Sequence, residues 1–208
     1  MFFNRLCKIT FIAHGATIYS EEGRVTDIEN YPPLNDAGEN EIERICQFLK
    51  KRGVKNDKIY TSIGARTTES AEIIAKIYKT TIEPVADLSP RKYGTWNNLT
   101  MEQIFKRKQE EFAQFLTNPK LPPCENSESL NAFSIRIGKA INKIVKNNQG
   151  NRIIIVTYPE VIQAAIVSAL KLNAEKMINF HIKTGSATQI SYYKDFNSLK
   201  YAGYVPLY

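Results

Sequence analysis

Short apolar runs, each of a length suited to a β-strand, recur along the chain. Residues 8–13 (KITFIA) are rich in β-branched side chains and stop at His14-Gly15, which is typical of a buried strand that ends in a loop. The most apolar run of this kind is residues 151–157 (NRIIIVT). Five further strands are predicted near residues 58–62, 81–85, 179–182, 188–193 and 200–204.

Segments with helical periodicity lie between these runs. After a polar loop over residues 18–33, Asn35 can cap a helix whose apolar positions recur at helical spacing, and Gly53 ends it. Pro159 suits the first turn of another helix. Helices are predicted over residues 66–79, 101–116, 129–147 and 159–172, and the three prolines in residues 119–127 predict a loop.

This alternation of strands and helices indicates an α/β fold. A mostly parallel sheet covered by helices on both faces is the arrangement that such an order favours. Ligands in sheets of this kind bind beyond the carboxyl ends of the strands. His14 and Tyr158, which each follow a predicted strand, are therefore the first candidates for a site.

Composition narrows the choice of partners. The chain has 208 residues, 43% of them hydrophobic, which fits a single domain over residues 1–208. A net charge of +7 favours anionic partners. The densest groups of cations, residues 50–52 and 106–108, lie in helical patterns where a solvated face explains them, so nucleic-acid binding is not favoured.

The cysteines and the amino terminus indicate where the protein resides. Cys7, Cys46 and Cys124 are odd in number and widely spaced, which argues against a disulfide framework and against a zinc site. Residues 1–6 lead directly into a strand, and no later run reaches membrane-spanning length. We expect a soluble cytoplasmic protein with no membrane partner and no cofactor.

Several segments of the chain resemble, in order, a series of motifs from one protein family. The family opens with a strand leading into Arg-His-Gly-x-Thr, and residues 13–17 read Ala-His-Gly-Ala-Thr. Residues 20–24 (SEEGR) and 33–38 (PLNDAG) resemble its loop motifs Asn-x-x-Gly-Arg and Pro-Leu-Thr-x-x-Gly. Residues 61–72 (TSIGARTTESAE) resemble Ser-Ser-x-x-x-Arg-Ala-x-x-Thr-Ala-Glu, which places Arg66 at the second phosphate-binding arginine.

The resemblance continues to the end of the chain. Residues 88–98 (LSPRKYGTWNN) resemble Leu-x-Glu-x-x-Phe-Gly-x-Trp-Glu-Gly, and residues 127–129 (SES) resemble Gly-Glu-Ser, with Arg136 at a matching offset. Residues 157–162 (TYPEVI) resemble the family's Ser-His-Gly-Gly-Val-Ile. In this series of motifs the chain resembles the histidine phosphatase superfamily, the phosphoglycerate mutase-like proteins. The resemblance implies a phosphoglycerate mutase-like three-layer α/β/α sandwich with a mostly parallel central sheet and a helical insertion near residues 97–126.

The resemblance also implies roles for individual residues. His14 corresponds to the histidine whose neutral imidazole attacks phosphorus to form a phosphohistidine. No metal takes part. The residues expected to contact a ligand are Gly15, Thr17, Arg24, Arg66, Glu128 and Tyr158.

Four departures from the family pattern fall on the catalytic groups. Ala13 replaces the first arginine, Pro90 the proton-donating glutamate and Tyr158 the second histidine, while Pro159 has no backbone N–H. Losing one preorganised donor costs roughly 10² to 10³ in rate, and losing the acid forfeits about 10² to 10⁴. Glu22, Glu128 and Glu160 are the carboxylates available as replacement acids.

These departures leave two hypotheses. The first is a degenerate domain, inactive or nearly so, that binds a phosphorylated small molecule or a protein partner. The second is a divergent phosphomonoesterase with His14 as nucleophile, and a mutase is disfavoured because isomerisation needs the full phosphate cage. Tyr158 is either a hydroxyl donor or an aromatic plug, Trp96 is predicted to pack beneath the insertion, and His181 is assigned no role.

Overall fold

The computed structural model describes residues 5–27 and 32–206, and it is built on one six-stranded sheet. The strands lie in the order β3-β2-β4-β1-β5-β6. β1, β2, β3 and β4 pair in parallel, whereas β5 and β6 are antiparallel to their neighbours. The strands are β1 (Arg5–Ala13), β2 (Lys58–Ser62), β3 (Ile82–Val85), β4 (Arg152–Thr157), β5 (Ala187–Tyr193) and β6 (Asn197–Tyr204).

Helices cover both faces of the sheet, so the predicted α/β/α architecture is confirmed. The helices are α1 (Ile18–Glu21), α2 (Asp36–Lys51), α3 (Ala65–Tyr78), α4 (Met101–Arg107), α5 (Gln109–Thr117), α6 (Leu130–Asn147) and α7 (Pro159–Ala169). Alternate residues of β1 point to opposite faces. Ile9 and Phe11 join the core that contains α6 and α7, and Ile12 joins the core that contains α2 and α3.

Two of the predicted elements differ from the structure, one in its type and one in its continuity. The strand expected over residues 179–182 is absent from the described structure, where a 3-10 helix (Ala174–Asn179) leads into irregular chain. Met177 and Ile182 bury against the main core, which accounts for the apolar signal without a strand. The helix expected over residues 101–116 is two helices, because Lys108 has non-helical dihedral angles.

Residues 97–126 carry α4 and α5 and pack on a small aromatic core of their own. Trp96 is fully buried there and contacts Phe112 and Phe115. Its indole Nε1 donates a hydrogen bond of 2.6 Å to Glu111 Oε2. Trp96 is therefore a packing residue beneath these helices, as predicted.

The loop predicted over residues 18–33 is only partly described. It contains the short helix α1, which Thr17 caps, while residues 28–31 lie outside the described part, as do residues 1–4 at the amino terminus. Among the residues described, there is no helix with the length and hydropathy needed to cross a membrane.

Candidate active site

Three neighbouring strands end side by side, and their carboxyl ends build the candidate site. Ala13 of β1 pairs with Thr157 of β4, so that His14 and Tyr158, the next residues, lie next to each other. Their rings meet edge to face with centroids 5.4 Å apart. β2 pairs with the other side of β4, and Arg66 follows β2 in the first turn of α3. The sheet thus brings together His14, Arg66 and Tyr158.

These side chains line an open cleft of about 810 Å³, which we call the His14 cleft. Of the residues expected to contact a ligand, the structure places His14, Thr17, Arg24, Arg66 and Tyr158 in its lining. Gly15 and Glu128 lie outside that lining.

His14 is held in the protonation state that a nucleophile needs. Its ring is buried, and Nδ1 lies 2.8 Å from the carbonyl oxygen of Gly15. Because a carbonyl oxygen only accepts hydrogen bonds, Nδ1 carries the proton and Nε2 keeps its lone pair. Burial, with a smaller contribution from the positive charge of Arg66, lowers the pKa of His14 to about 3. The imidazole is therefore neutral at neutral pH.

A close approach between two glycines holds the loop that carries His14. A Cβ atom on Gly15 would lie 2.3 Å from the carbonyl oxygen of Gly38, and one on Gly38 would lie 2.2 Å from that of Ala16. The backbone N–H of Gly15 also donates to Ser70 Oγ at 3.1 Å. Gly15 therefore supports His14 from behind and positions it against the first turn of α2.

Arg66 is the cation at the floor of the cleft. It is buried, and its Nη2 donates to Thr26 Oγ1 at 2.9 Å. Its guanidinium lies 4.7 Å from the centroid of the Tyr158 ring, a cation–π contact. Arg66 is thus fixed in orientation by groups on two sides.

Tyr158 packs as part of the cleft floor. It is 1% exposed, belongs to the main hydrophobic core, and donates its hydroxyl to the backbone carbonyl of Ile63 at 2.9 Å. Of the two predicted alternatives, this hydrogen bond favours the aromatic plug, although the cleft beside the ring stays open.

The rim of the cleft carries Thr17 and Arg24. Thr17 is buried and caps α1 by accepting a hydrogen bond from Ser20 N at 3.2 Å. Arg24 pairs with Glu22 and donates to the carbonyl oxygen of Asn98 at 3.1 Å. Since the carboxylate of Glu22 is engaged in this pair, the Arg24 cation is partly neutralised where it faces the cleft.

Glu128 and Pro90 belong to a structural network beside the cleft. Arg136 holds the Glu128 carboxylate with two hydrogen bonds, Nε to Oε1 at 3.0 Å and Nη2 to Oε2 at 2.7 Å. The same guanidinium donates to the carbonyl oxygens of Asp87, Ser89 and Pro90. Arg136 therefore holds the segment that contains Pro90, and the carboxylate of Glu128 is engaged by the same guanidinium.

Glu160 is the carboxyl group that lines the cleft at the start of α7. Burial raises its pKa above the usual range, against the smaller opposing effects of its own backbone N–H and of the guanidinium groups of Arg66 and Arg91. It is one of the three carboxylates that the sequence offered as a replacement acid.

The cleft also contains residues for which the sequence assigned no role. His181 and Lys183 are exposed on its rim, and Glu41 accepts a hydrogen bond from Ala16 N at 2.9 Å. β5 runs antiparallel to β1, so the loop before β5 arrives at the carboxyl end of β1, where Gly185 N donates to the carbonyl oxygen of His14. Because the sequence predicted a strand over residues 179–182, it did not indicate that this segment lines the cleft.

Within residues 5–27 and 32–206, no three His, Cys, Asp or Glu side chains cluster closely enough to hold a metal ion.

Comparison with known proteins gives one consistent result. The sequence profile of the histidine phosphatase superfamily (branch 1) matches residues 9–203. Phosphoglycerate mutase-like protein 4 of Arabidopsis thaliana is 29% identical over 212 aligned positions, which cover 95% of this chain and 89% of that protein. The metal-independent phosphoserine phosphatase of the same plant is 26% identical, covering 85% of this chain and 74% of that protein.

Solved structures show the same fold at low sequence identity. Bacillus stearothermophilus YhfR superposes with a TM-score of 0.86 at 22% identity, covering 96% of this chain and 98% of that one. The α-ribazole phosphatase of Shigella flexneri gives a TM-score of 0.82 at 19% identity, covering 97% and 99%. At these identities the likeness establishes the fold alone.

Proposed function

Because the chain belongs to the histidine phosphatase superfamily, we propose that its His14 cleft binds the phosphate group of a phosphorylated small molecule with little or no turnover. The observation that carries this proposal is the set of groups around His14. Of the four family groups that surround a phosphate, His14 and Arg66 are in the cleft, Ala13 has no polar side chain, and the hydroxyl of Tyr158 is bound to a backbone carbonyl.

The donors that this cleft lacks would stabilise the transition state of phosphoryl transfer. Phosphoryl transfer spreads negative charge over three oxygens, and fixed donors in a dry site stabilise that charge. A single arginine supplies fewer such donors than a pair, and Pro159 has no N–H at the start of α7. Binding of a phosphate group in its ground state needs fewer donors than catalysis does, since one buried arginine and a neutral imidazole still recognise a dianion.

Glu160 weakens even that binding when it is ionised. Its carboxylate faces the same cleft, and Arg66 is among the groups that act on its pKa. A phosphate dianion in the cleft would repel it. Binding of phosphate is therefore expected to strengthen as Glu160 takes up a proton.

The second candidate is a divergent phosphomonoesterase, and the same residue favours it. Burial raises the pKa of Glu160, and a carboxyl group that holds its proton more firmly than usual is better suited to act as a general acid. The Nε2 lone pair of His14 would attack phosphorus, the bond from phosphorus to the leaving oxygen would break, and that oxygen would take the proton of Glu160. Water would then attack the phosphorus of the phosphohistidine and give its proton to the Glu160 carboxylate, the bond from phosphorus to Nε2 would break, and phosphate and the neutral imidazole would be released with the acid regenerated.

Glu160→Gln separates the two candidates. If the cleft only binds, the variant removes a repelling charge, and inorganic phosphate or vanadate is expected to bind more tightly, by up to about tenfold. If Glu160 is the acid, the variant is expected to lose turnover of alkyl phosphates by about 10² or more while keeping turnover of p-nitrophenyl phosphate, whose leaving group needs no proton.

His14→Ala is the control for both measurements. Turnover of p-nitrophenyl phosphate that disappears in His14→Ala, together with a phosphohistidine trapped by acid-free quenching, would refute the binding proposal in favour of the enzyme. Absence of turnover in the wild-type protein, with vanadate binding that weakens in Arg66→Met, is the result that the binding proposal expects. A wild-type protein that binds neither phosphate nor vanadate would refute both candidates.

A further inference from the structure

A second pocket shares no lining residue with the His14 cleft. It has a volume of about 380 Å³ and is enclosed by β1, the start of β4, β5, β6 and the end of α2. We call it the basic pocket after its five cationic lining residues. These are Lys8, Arg52, Lys55, Arg152 and Lys200.

The charge of the basic pocket is not balanced locally. None of its lining residues is acidic, and Arg152 alone among the five is ion-paired within the described chain, with Asp57 at 3.5 Å. Burial lowers the pKa of Lys8, and the positive charges of Arg5, Lys200 and Arg152 lower it further. Cations that repel one another in a concave site are stabilised when an anion binds between them.

One buried oxygen atom of a residue on the pocket wall has no hydrogen-bond donor among the described residues. Gln189 is 3% exposed and stands in β5 between Thr10 of β1 and Tyr201 of β6. Its Nε2 donates to Thr10 Oγ1 at 3.1 Å, while its Oε1 has no partner. A buried amide oxygen without a donor is unfavourable, so a ligand whose donor reaches this atom would be stabilised by the hydrogen bond.

Aromatic side chains complete the pocket. The rings of Phe48 and Tyr204 stack with centroids 4.7 Å apart, and Tyr201 meets Tyr204 edge to face at 5.9 Å. Arg52 lies over the Phe48 ring at 5.1 Å. These contacts give the pocket a rigid apolar wall beside its cations, which suits a ligand with a planar ring as well as an anionic group.

We propose that the basic pocket binds a nucleoside polyphosphate. The phosphates lie among Lys8, Arg52, Lys55 and Lys200, and Gln189 Oε1 accepts a hydrogen bond from a hydroxyl or amino group of the nucleoside. The volume falls in the range of small-ligand sites. This site is separate from the His14 cleft and does not depend on the function proposed for it.

Calorimetric titration with ADP, ATP, adenosine and pyrophosphate tests the proposal. ATP and ADP are expected to bind, with affinities that fall as salt rises. Pyrophosphate is expected to bind about tenfold more weakly than ADP, because it makes no contact with Gln189 or the aromatic wall. Pyrophosphate that binds as tightly as ADP would overturn the assignment of a nucleoside ligand.

Gln189→Met and Lys200→Met are the informative variants. Gln189→Met is expected to weaken ADP about tenfold, because it removes the acceptor. Its melting temperature without ligand should stay close to that of the wild-type protein, since it also removes an unpaired buried oxygen. Lys200→Met is expected to weaken ADP and to reduce the salt dependence, whereas Lys139→Met, on the exposed face of α6, should change neither.

His14→Ala identifies the site that the nucleotide occupies. ADP binding is expected to be the same in His14→Ala as in the wild-type protein. If ADP binding is lost in His14→Ala, or survives unchanged in Gln189→Met, the nucleotide binds elsewhere and the proposal fails.

Discussion

Acidification is expected to destabilise this protein through one buried imidazole. The pKa of His14 is about 3 in the folded chain, against 6.5 for an unperturbed histidine. Between these two values the unfolded chain binds a proton at this position and the folded chain does not. Stability is therefore lost as the pH falls below about 6.5, and the loss is complete near pH 3.

The size of the effect follows from the two pKa values. As the pH falls from about 7.5 to about 5, the imidazole takes up a proton in the unfolded chain but not in the folded chain over about 1.5 pH units. The free energy of unfolding falls by about 2 kcal/mol as a result. Glu160 acts in the opposite direction, because its raised pKa favours proton uptake by the folded chain. Since Glu160 is present in both proteins, its contribution cancels when the wild type is compared with His14→Gln, which is neutral at every pH.

Urea denaturation of both proteins at several pH values measures the difference. The single tryptophan, Trp96, is buried and provides the fluorescence signal. The wild type should lose about 2 kcal/mol more than His14→Gln between the two ends of this range. Parallel losses in the two proteins would show that the imidazole titrates normally, and would remove the physical basis for a neutral nucleophile.

Three further expectations concern the frame around the site. Gly38→Ala should lower the free energy of unfolding by about 1–3 kcal/mol, because the new Cβ would lie 2.2 Å from a carbonyl oxygen of the loop after β1; unchanged thermal melts would contradict this contact. Arg136→Met should cost about 2 kcal/mol by leaving Glu128 and several carbonyls unpaired, and Arg136→Lys should recover less than half of it, measured by urea denaturation. Glu111→Gln should cost about 1 kcal/mol by weakening the bond from Trp96 Nε1, and an unmoved denaturation midpoint would argue against that bond.

The elements that the sequence predicted well are those with strong local signals. β2 has the predicted bounds, and the β-branched runs of β1 and β4 place them within a few residues. Asn35 caps α2 as expected, its Oδ1 accepting a hydrogen bond from Gly38 N at 2.8 Å. The meeting of His14 with Tyr158 follows from the same strands, because adjacent parallel strands end at the same edge of a sheet.

The features that the sequence did not predict depend on contacts between distant parts of the chain. The sequence left the hydroxyl of Tyr158 free to donate to a ligand, whereas in the fold it donates to Ile63, 95 positions away. Glu128 was expected to contact a ligand, but its carboxylate is bound by Arg136, a partner that only the turn of a helix brings near. The place of His181 on the cleft rim follows from the direction of β5, which an apolar run does not reveal.

The hydrogen bond between Tyr158 and Ile63 has a consequence for any attempt to place a histidine at position 158. Tyr158→His would remove the hydroxyl that satisfies the Ile63 carbonyl and the ring that packs on Arg66, while Ala13→Arg would place a cation at a fully buried core position. Each substitution alone is expected to cost stability before the pair can hold a phosphate. A path that makes these two changes one at a time is therefore expected to pass through a less stable protein in either order.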